Sequence, residues 1–406
     1  MSADTVSVAY RPDDPGTHGD PYPVYARLRD EDPVHRAPGG FWVLSRFEDV
    51  FAATLDPDTY SSAQGLTYQV DEIVRLGLKP TLVMMDRPRH TTFRRLISRG
   101  FTPRNVADLE PAVRAFVRER VGVLADGDEM DVIDVLAGPL PTLVVALYLG
   151  VPETDRAQFD DWSGAIVAAN AGGDILGGAA DAVAGLYGYF TELIAHRRDH
   201  PGDDMLSDLV AARVDGRPLA LDEILGFCFV MIAGGNDTTT GMLGGTLVAL
   251  CEFPGERARL LADPALLTGA LEEFLRLTTP VQGLSRTTTR RVHLHGATME
   301  AGAKVHLLYG SANRDPREFG PDADRLQVTR TFRRMLTFGN GPHHCIGAAA
   351  ARLQARVALE ELLDVLPDFV AHADRGVLAP GPFVRRYASL PFDPGRRRRR
   401  PAGPDR

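Results

Sequence analysis

Apolar side chains recur at helical spacing along most of the chain, which predicts a mainly α-helical protein. Helices are indicated at about residues 47–55, through much of 86–209, and over 222–253, 255–277 and 348–365. The stretch 222–253 contains no proline and is apolar on most faces. A single helix of about 30 residues should therefore run through the core there, about 45 Å long.

Alternating apolar and polar residues indicate a minor β component. Residues 41–44 have the character of a strand, and residues 290–310 alternate in the way of a small antiparallel sheet. Residues 60–84 show no clean period, so we expect a long loop there with room for one short helix. Residues 1–18 and the basic tail 395–406 are expected to be disordered. The sequence thus predicts one domain over residues 19–394, mainly α with a small antiparallel β part.

Composition and charge exclude several classes of protein. The 406 residues are 44% hydrophobic and 24% charged, which excludes a disordered, collagen-like or coiled-coil chain. The net charge of −9 argues against nucleic-acid binding, and the arginine run 396–400 is interpreted as part of a solvated tail. Three cysteines are too few for a disulfide framework. The N-terminus does not resemble a signal peptide, and no apolar run is long enough for a membrane span. We expect a cytoplasmic protein.

One short motif carries most of the candidate chemistry. Residues 338–347 read Phe-Gly-Asn-Gly-Pro-His-His-Cys-Ile-Gly, just before the last predicted helix. The glycines allow positive φ and a close approach of the backbone to a flat ligand. Cys345 would meet the N-terminus of that helix, where N–H groups and the helix dipole lower the pKa of a thiol. A thiolate is the soft, electron-donating ligand of certain haem irons.

The same motif is also compatible with a buried structural cysteine or with a zinc site. A lone cysteine is more often a small buried hydrophobe, and the flanking glycines argue against that interpretation for Cys345. His343, His344 and Cys345 could also contribute to a zinc site. No fourth ligand stands at a sensible spacing, which argues against zinc.

These residues resemble the haem-binding loop of the cytochrome P450 superfamily of haem-thiolate monooxygenases. The resemblance covers about residues 18–394 in the expected order and is to the soluble bacterial type. It implies the cytochrome P450 fold, with a long central helix across the haem. It further implies that Cys345 is the iron ligand, that Phe338, Gly339 and Gly347 bind the cofactor, that this cofactor is haem b, and that O₂ is the co-substrate.

The middle of the long helix contains a second motif, Ala-Gly-Gly-Asn-Asp-Thr-Thr at 233–239. A Thr238 hydroxyl bonded back to the Gly234 carbonyl would bend the helix and open a groove able to hold dioxygen and water. Taken alone, the motif is better explained by glycine packing and a capping aspartate. The resemblance implies that Asp237 and Thr238 are the acid–alcohol pair of the family, which delivers protons to iron-bound oxygen. It also implies that Gly234 is one of the cofactor-binding residues.

Further residues match the family by position. Glu273 and Arg276 have a spacing that recurs elsewhere in the chain, but only this pair stands directly before the predicted sheet. The resemblance implies a buried structural pair at this position, joined by Arg330. His90 and Arg94 share one helical face. A surface basic residue is the simpler interpretation of each haem-carboxylate candidate alone. Taken together, the resemblance implies that the haem propionates are held by His90, Arg94, Arg286 and His343.

The resemblance implies an enzyme that inserts one oxygen atom into an apolar organic substrate by hydroxylation or epoxidation. The chain has no flavin motif, and three cysteines cannot hold a four-cysteine cluster. Electrons from NAD(P)H would therefore arrive through a ferredoxin reductase and a ferredoxin. The ferredoxin is expected to dock near Arg94, Arg95, Arg104, Arg333, Arg334 and Arg352, and the substrate to lie against residues 65–82, 162–186, 232–235, 281–284 and 383–384. Two alternatives stay open: a peroxide-driven or rearranging haem-thiolate enzyme, and a non-enzymatic haem sensor.

Overall fold

The computed structural model describes residues 8–70, 72, 81–171 and 179–396. Within them the α-helices are α1 (Pro15–Gly19), α2 (Tyr22–Glu31), α3 (Phe47–Leu55), α4 (Arg89–Ile97), α5 (Pro103–Ala107), α6 (Glu110–Asp126), α7 (Pro139–Leu149), α8 (Arg156–Ala171), α9 (Ala180–Asp199), α10 (Met205–Ala211), α11 (Leu221–Glu252), α12 (Pro254–Ala262), α13 (Leu267–Thr278), α14 (Tyr309–Ala312), α15 (Pro316–Phe319) and α16 (Ala348–Val365). No helix of these ranges is long and apolar enough to cross a membrane.

Within the same described ranges, the strands are short and form one main sheet and four small ones. They are β1 (Val34–Arg36), β2 (Trp42–Leu44), β3 (Tyr60–Ser61), β4 (Met130–Asp131), β5 (Arg213–Val214), β6 (Arg217–Pro218), β7 (Leu284–Thr288), β8 (Val292–Leu294), β9 (Ala297–Met299), β10 (Lys304–Leu307), β11 (Val370–Ala371), β12 (Val377–Leu378), β13 (Tyr387–Ser389) and β14 (Pro391–Asp393). The main sheet has the order β1-β2-β10-β7-β3. The small sheets are β11-β14-β4, β12-β13, β5-β6 and β8-β9. The predicted fold class, mainly α with a small β part, is confirmed.

The long central helix α11 organises the helical core. It packs against α7, α8, α9, α13 and α16, so most of its length is buried. Its first turn is closed by Glu223, whose carboxylate accepts a hydrogen bond from the Ala220 N–H (2.9 Å). The helix ends at Glu252, and Pro254 begins the next helix. The single 32-residue helix agrees with the prediction for 222–253.

The other predicted elements agree to different degrees. The helices expected at 47–55 and 348–365 are confirmed as α3 and α16. The helix expected over 255–277 is two helices, because Asp263 caps a short 3₁₀ turn at Pro264–Leu266 between α12 and α13. Strand β10 was expected in a local antiparallel sheet. Its four buried residues instead lie inside the main sheet, parallel to β2 and antiparallel to β7.

The N-terminal segment differs from the expected disorder at residues 8–18. Val8 and Tyr10 are buried, and the Tyr10 ring packs on Tyr25 with centroids 6.1 Å apart. Composition suggested a loose segment because it does not reveal that these two apolar side chains find a partner surface. Residues 1–7 and 397–406, which belong to the predicted disordered ends, lie outside the described residues.

A buried ion-pair cluster joins α13 to the loop that follows the sheet. Both side chains of Glu273 and Arg276 are fully buried and form two hydrogen bonds of 2.6 and 2.8 Å. Arg330 also donates to Glu273 (3.0 Å), as expected from the resemblance. Arg276 further donates to the carbonyls of Asn313 and Ala323, both at 2.7 Å. Glu273 therefore bridges two guanidinium groups, and Asp322 is a second carboxylate partner of Arg330 at 3.1 Å.

We expect Glu273→Leu to lower the free energy of unfolding by about 3–5 kcal/mol, because it leaves the fully buried Arg276 without a carboxylate and Arg330 with Asp322 alone. The matched control is Arg259→Leu, which removes the exposed partner of Glu256 and should cost less than about 1 kcal/mol. Chemical denaturation followed by circular dichroism measures both. Equal losses in the two variants would contradict the structural role of Glu273.

Candidate active site

The cysteine loop connects the core to the N-terminus of α16. Gly339 and Gly341 have φ of +62° and +66°, the left-handed region that glycine tolerates. The Cys345 N–H donates to the Phe338 carbonyl (2.8 Å), which closes the loop on itself. A Cβ on Gly341 would overlap the Thr54 carbonyl oxygen of α3. The glycine pattern of the motif thus has a direct backbone explanation.

The Cys345 side chain is exposed, yet surrounding protein desolvates its thiol and raises the pKa. The Gly347 N–H and the charges of Arg94 and Arg352 act in the opposite direction. A side chain is both accessible and desolvated when it faces an open space inside a protein, which is where a flat cofactor would lie. The position of Cys345 at the helix N-terminus predicted a lowered thiol pKa. The structure shows a raised pKa, because burial of the thiol has the largest effect.

A cluster of basic side chains lies beside the cysteine loop. The His90 and His343 rings are in contact, with centroids 4.2 Å apart and planes tilted by 44°, although His90 is on α4 and His343 precedes Cys345. Burial, together with the nearby Arg286, His90 and Arg94, lowers the pKa of His343 to about 3. Burial and the neighbouring Arg94 likewise lower the pKa of His90. The structure therefore brings together the four residues expected around the cofactor's carboxylates.

This basic cluster contains a buried polar atom that needs an acceptor or donor. His90 Nε2 is buried and has no hydrogen-bond partner in the part of the chain that the structure describes. Neither Arg94 nor Arg286 forms an ion pair with a described residue, and Arg286 is buried. Burying positive charge without a counter-ion is costly, and guanidinium groups bind carboxylates in a forked geometry. A thiol beside such a cluster fits an iron porphyrin with two propionates.

Two contacts of this cluster were missed by sequence reasoning. Ser62 Oγ lies 3.2 Å from His343 Nε2, and the Met85 backbone also hydrogen-bonds His343. Both residues belong to the segment 60–85 around the predicted loop, which has no motif to mark them. Asp86 holds Ser61 and Ser62 in place by accepting hydrogen bonds from Ser61 Oγ (2.5 Å) and the Ser62 N–H (3.0 Å).

The middle of α11, which is one continuous α-helix, contains the side-chain hydrogen bond that the motif predicts. Thr238 Oγ1 donates to the Gly234 carbonyl at 3.0 Å, as the motif predicts. Gly234 is exposed although its neighbour Ile232 and the next-turn residue Asp237 are buried. A Cβ on Gly234 would meet no described atom within 4 Å. The helix therefore borders an open space at Gly234, in a stretch that is otherwise largely buried.

Asp237 forms an ion pair with Arg386, just before β13. Asp237 is only 1% exposed and Arg386 8%, so the pair is inside the protein. Asp237 was predicted as a site residue from its motif. Arg386 was not, because 149 positions separate the two residues and no local pattern relates them.

Comparison with known proteins identifies the family. The family model described as "Cytochrome P450" matches residues 178–366. The chain is 53% identical over 386 residues to cytochrome P450 130 of Mycobacterium tuberculosis, covering 93% of this chain and 95% of that protein. It is 37% identical to the cytochrome P450 monooxygenase PikC of Streptomyces venezuelae, over 92% and 91% of the two chains. Among solved structures, Mycobacterium marinum CYP268A2 in complex with pseudoionone matches with a TM-score of 0.87 and 32% identity, over 97% and 99%.

The chain belongs to the cytochrome P450 family, and it is an enzyme of the monooxygenase class. Members of this family use haem and O₂ with electrons from redox partners. Within the described residues, no three side chains of His, Cys, Asp or Glu form a group that could hold a metal ion, so the zinc interpretation gains no support.

We expect Gly341→Ala to destabilise the protein by about 1–3 kcal/mol, because alanine is strained at φ +66° and its Cβ would overlap the Thr54 carbonyl. The matched control is Gly122→Ala in α6, where the Cβ meets nothing within 4 Å and helix propensity should raise stability by about 0.5–1 kcal/mol. Thermal or chemical denaturation distinguishes them. A stabilised Gly341→Ala variant would show that the loop geometry is wrong.

Proposed function

We propose that this enzyme inserts one atom of dioxygen into an apolar organic substrate by hydroxylation or epoxidation, with haem b as its cofactor. The observation that supports this most directly is the accessible but desolvated Cys345 beside the basic cluster of His90, Arg94, Arg286 and His343. When bound, the haem supplies the iron at which dioxygen is activated.

The proposed roles of the chain's own residues follow from their places. Cys345 holds the iron as a thiolate, which the Gly347 N–H and the charges of Arg94 and Arg352 favour over the thiol. His90, Arg94, Arg286 and His343 would hold the propionates, and Phe338, Gly339 and Gly347 would shape the loop that binds the cofactor. On α11, the open space beside Gly234 would leave room for dioxygen, while the Asp237 carboxylate and the Thr238 hydroxyl would hold and move protons there.

The proposed substrate class is an apolar scaffold such as a terpenoid, steroid or polyketide. Relatives support this class through their printed names: PikC, the vitamin D(3) 25-hydroxylase of Pseudonocardia autotrophica, and a Bacillus megaterium CYP109E1 structure in complex with testosterone. The chain is 34% identical to the hydroxylase over 93% of its own length. The segment expected to face substrate includes Phe383, whose ring lies 5.2 Å from Tyr68, and Val384, which pairs with Val281.

We further propose that electrons pass from NAD(P)H through a ferredoxin reductase and a ferredoxin. Of the six arginines expected to receive the ferredoxin, Arg352 is bound by Glu272 and Arg334 by Glu318 and Glu48. Arg95, Arg104 and Arg333 are exposed, and none forms an ion pair with a described residue. These three are therefore the better candidates for steering an acidic partner. A cytoplasmic location stays a prediction.

A peroxide-driven enzyme is the alternative from the same family. The retained Asp237 and Thr238 favour the route that uses dioxygen and donated electrons, because peroxide carries its own protons and electrons. Turnover with peroxide alone, compared with turnover using ferredoxin, reductase and NAD(P)H, separates the two. A sensor would show turnover with neither.

We expect Thr238→Ala to lower product formed per NAD(P)H consumed by about tenfold or more, because proton delivery is lost while haem binding is kept. Thr246→Ala is the matched control. Its hydroxyl makes the same kind of bond, to the Met242 carbonyl at 2.7 Å, two turns further along α11. The test substrate is an apolar compound that shifts the spin state of the haem iron when it binds. The amounts of product and of peroxide formed per NAD(P)H are then measured for both variants. Coupled turnover that is unchanged in Thr238→Ala would falsify the proposed proton role.

We expect the charge reversal of Arg95 and Arg104 to Glu to slow haem reduction by ferredoxin about tenfold at low salt and to flatten its salt dependence. Arg213→Glu, on the β5–β6 hairpin, is the exposed control. Stopped-flow reduction at several ionic strengths measures the effect. An unchanged rate and salt slope in the double reversal would place the docking surface elsewhere.

A further inference from the structure

The ion pair between Arg386 and Asp237 links two parts of the protein that are remote in sequence. Asp237 lies in the middle of α11, and Arg386 lies just before β13. Oppositely charged side chains this deeply buried are expensive to desolvate, so they seldom persist without a structural or functional reason. The cluster around Glu273 already serves the structural role in the neighbouring α13.

The backbone around Arg386 is held from both sides. The Gln282 N–H donates to the Phe383 carbonyl at 2.8 Å, and the Arg385 N–H donates to the Pro280 carbonyl at 2.7 Å. The Ala379 N–H donates to the Arg386 carbonyl at 2.9 Å. The guanidinium of Arg386 is therefore carried by a segment with a fixed position relative to the rest of the fold.

Gly241 allows this segment to lie directly on α11. It stands one helical turn after Asp237, and a Cβ there would lie 2.7 Å from the Arg385 carbonyl oxygen and 3.2 Å from Arg386 Cβ. Any larger residue would push the segment away from the helix at the level of Asp237. The close crossing and the ion pair are thus two independent observations at the same place.

We propose that Arg386 is the positioning residue that orients the Asp237 carboxylate for proton delivery; this rests on the proposed function of the acid–alcohol pair. Thr238 is already fixed within α11 by its bond to the Gly234 carbonyl. Asp237, in contrast, has a charged partner from outside the helix, and that partner is anchored by its own backbone. A guanidinium on a fixed segment sets the direction of a carboxylate in a way that an ammonium on a flexible stem does not.

The test compares Arg386→Gln, Arg386→Lys and Asp237→Asn in the haem-loaded protein, with carbon monoxide as the probe of the distal environment. Arg385→Gln is the matched control, because its side chain donates to the His18 carbonyl (2.5 Å) and not to α11. We expect Arg386→Gln to shift the infrared stretch of bound carbon monoxide in the same direction as Asp237→Asn. The double variant should show no further shift, and Arg386→Lys a partial one, while Arg385→Gln keeps the native band.

A second measurement separates positioning from simple stabilisation of the fold. We expect Arg386→Gln to lower the product formed per O₂ consumed about tenfold. The dissociation constant of the test substrate, measured by the spin-state shift, should stay within about twofold of the native value. If Arg386→Gln does not bind haem, Arg386→Lys decides the question, since a native infrared band and native coupling in that variant would overturn the proposal.

The same measurements distinguish a failure of the role proposed for Arg386 from a failure of the proton role proposed for Asp237 and Thr238. A shifted band and poor coupling in Asp237→Asn, with native behaviour in Arg386→Gln, would overturn the role of Arg386 and leave the proposed function intact. Native coupling in both Asp237→Asn and Thr238→Ala would overturn the proton role of the pair, and the role of Arg386 with it.

Discussion

Uncompensated positive charge inside the protein is the constraint on which the account of this site depends. The charge is that of Arg94 and Arg286, which lie with the rings of His90 and His343 beside Cys345, and the described residues supply no ion pair to either arginine. Desolvation alone would make this arrangement unfavourable. The dianionic cofactor that we propose would provide the counter-charge, so its binding and the stability of this region should be thermodynamically linked.

The remaining architecture holds that cluster against the central helix. The buried Glu273 pairs with Arg276 and Arg330 and ties α13 to the chain that leads into the cysteine loop. On the other side, α11 carries the exposed Gly234 and the Thr238 hydroxyl bond at the same level of the helix. The segment that carries Arg386 closes on α11 at Gly241. Rigid elements rather than loops thus position most of the proposed chemistry.

Local patterns were sufficient for the features that depend on neighbours in sequence. The bounds of α3 and α16, the Thr238 bond and the glycine conformations of the cysteine loop all follow from spacing and residue type. Features that depend on remote partners could not be predicted in this way. Arg386, Ser62 and the parallel pairing of β10 with β2 arise from tertiary contacts. The raised pKa of Cys345 was missed for the same reason, because burial is a property of the whole fold.

The most direct test of the central claim is the difference spectrum of the reduced, haem-loaded protein under carbon monoxide. The account predicts a strongly red-shifted Soret band, the signature of a thiolate ligand, in the native protein and in Cys251→Ser. It predicts that Cys345→Ser loses that band. An ordinary haem–carbon monoxide band in the native protein, or an unchanged red-shifted band in Cys345→Ser, would contradict the assignment of Cys345 and the function proposed from it.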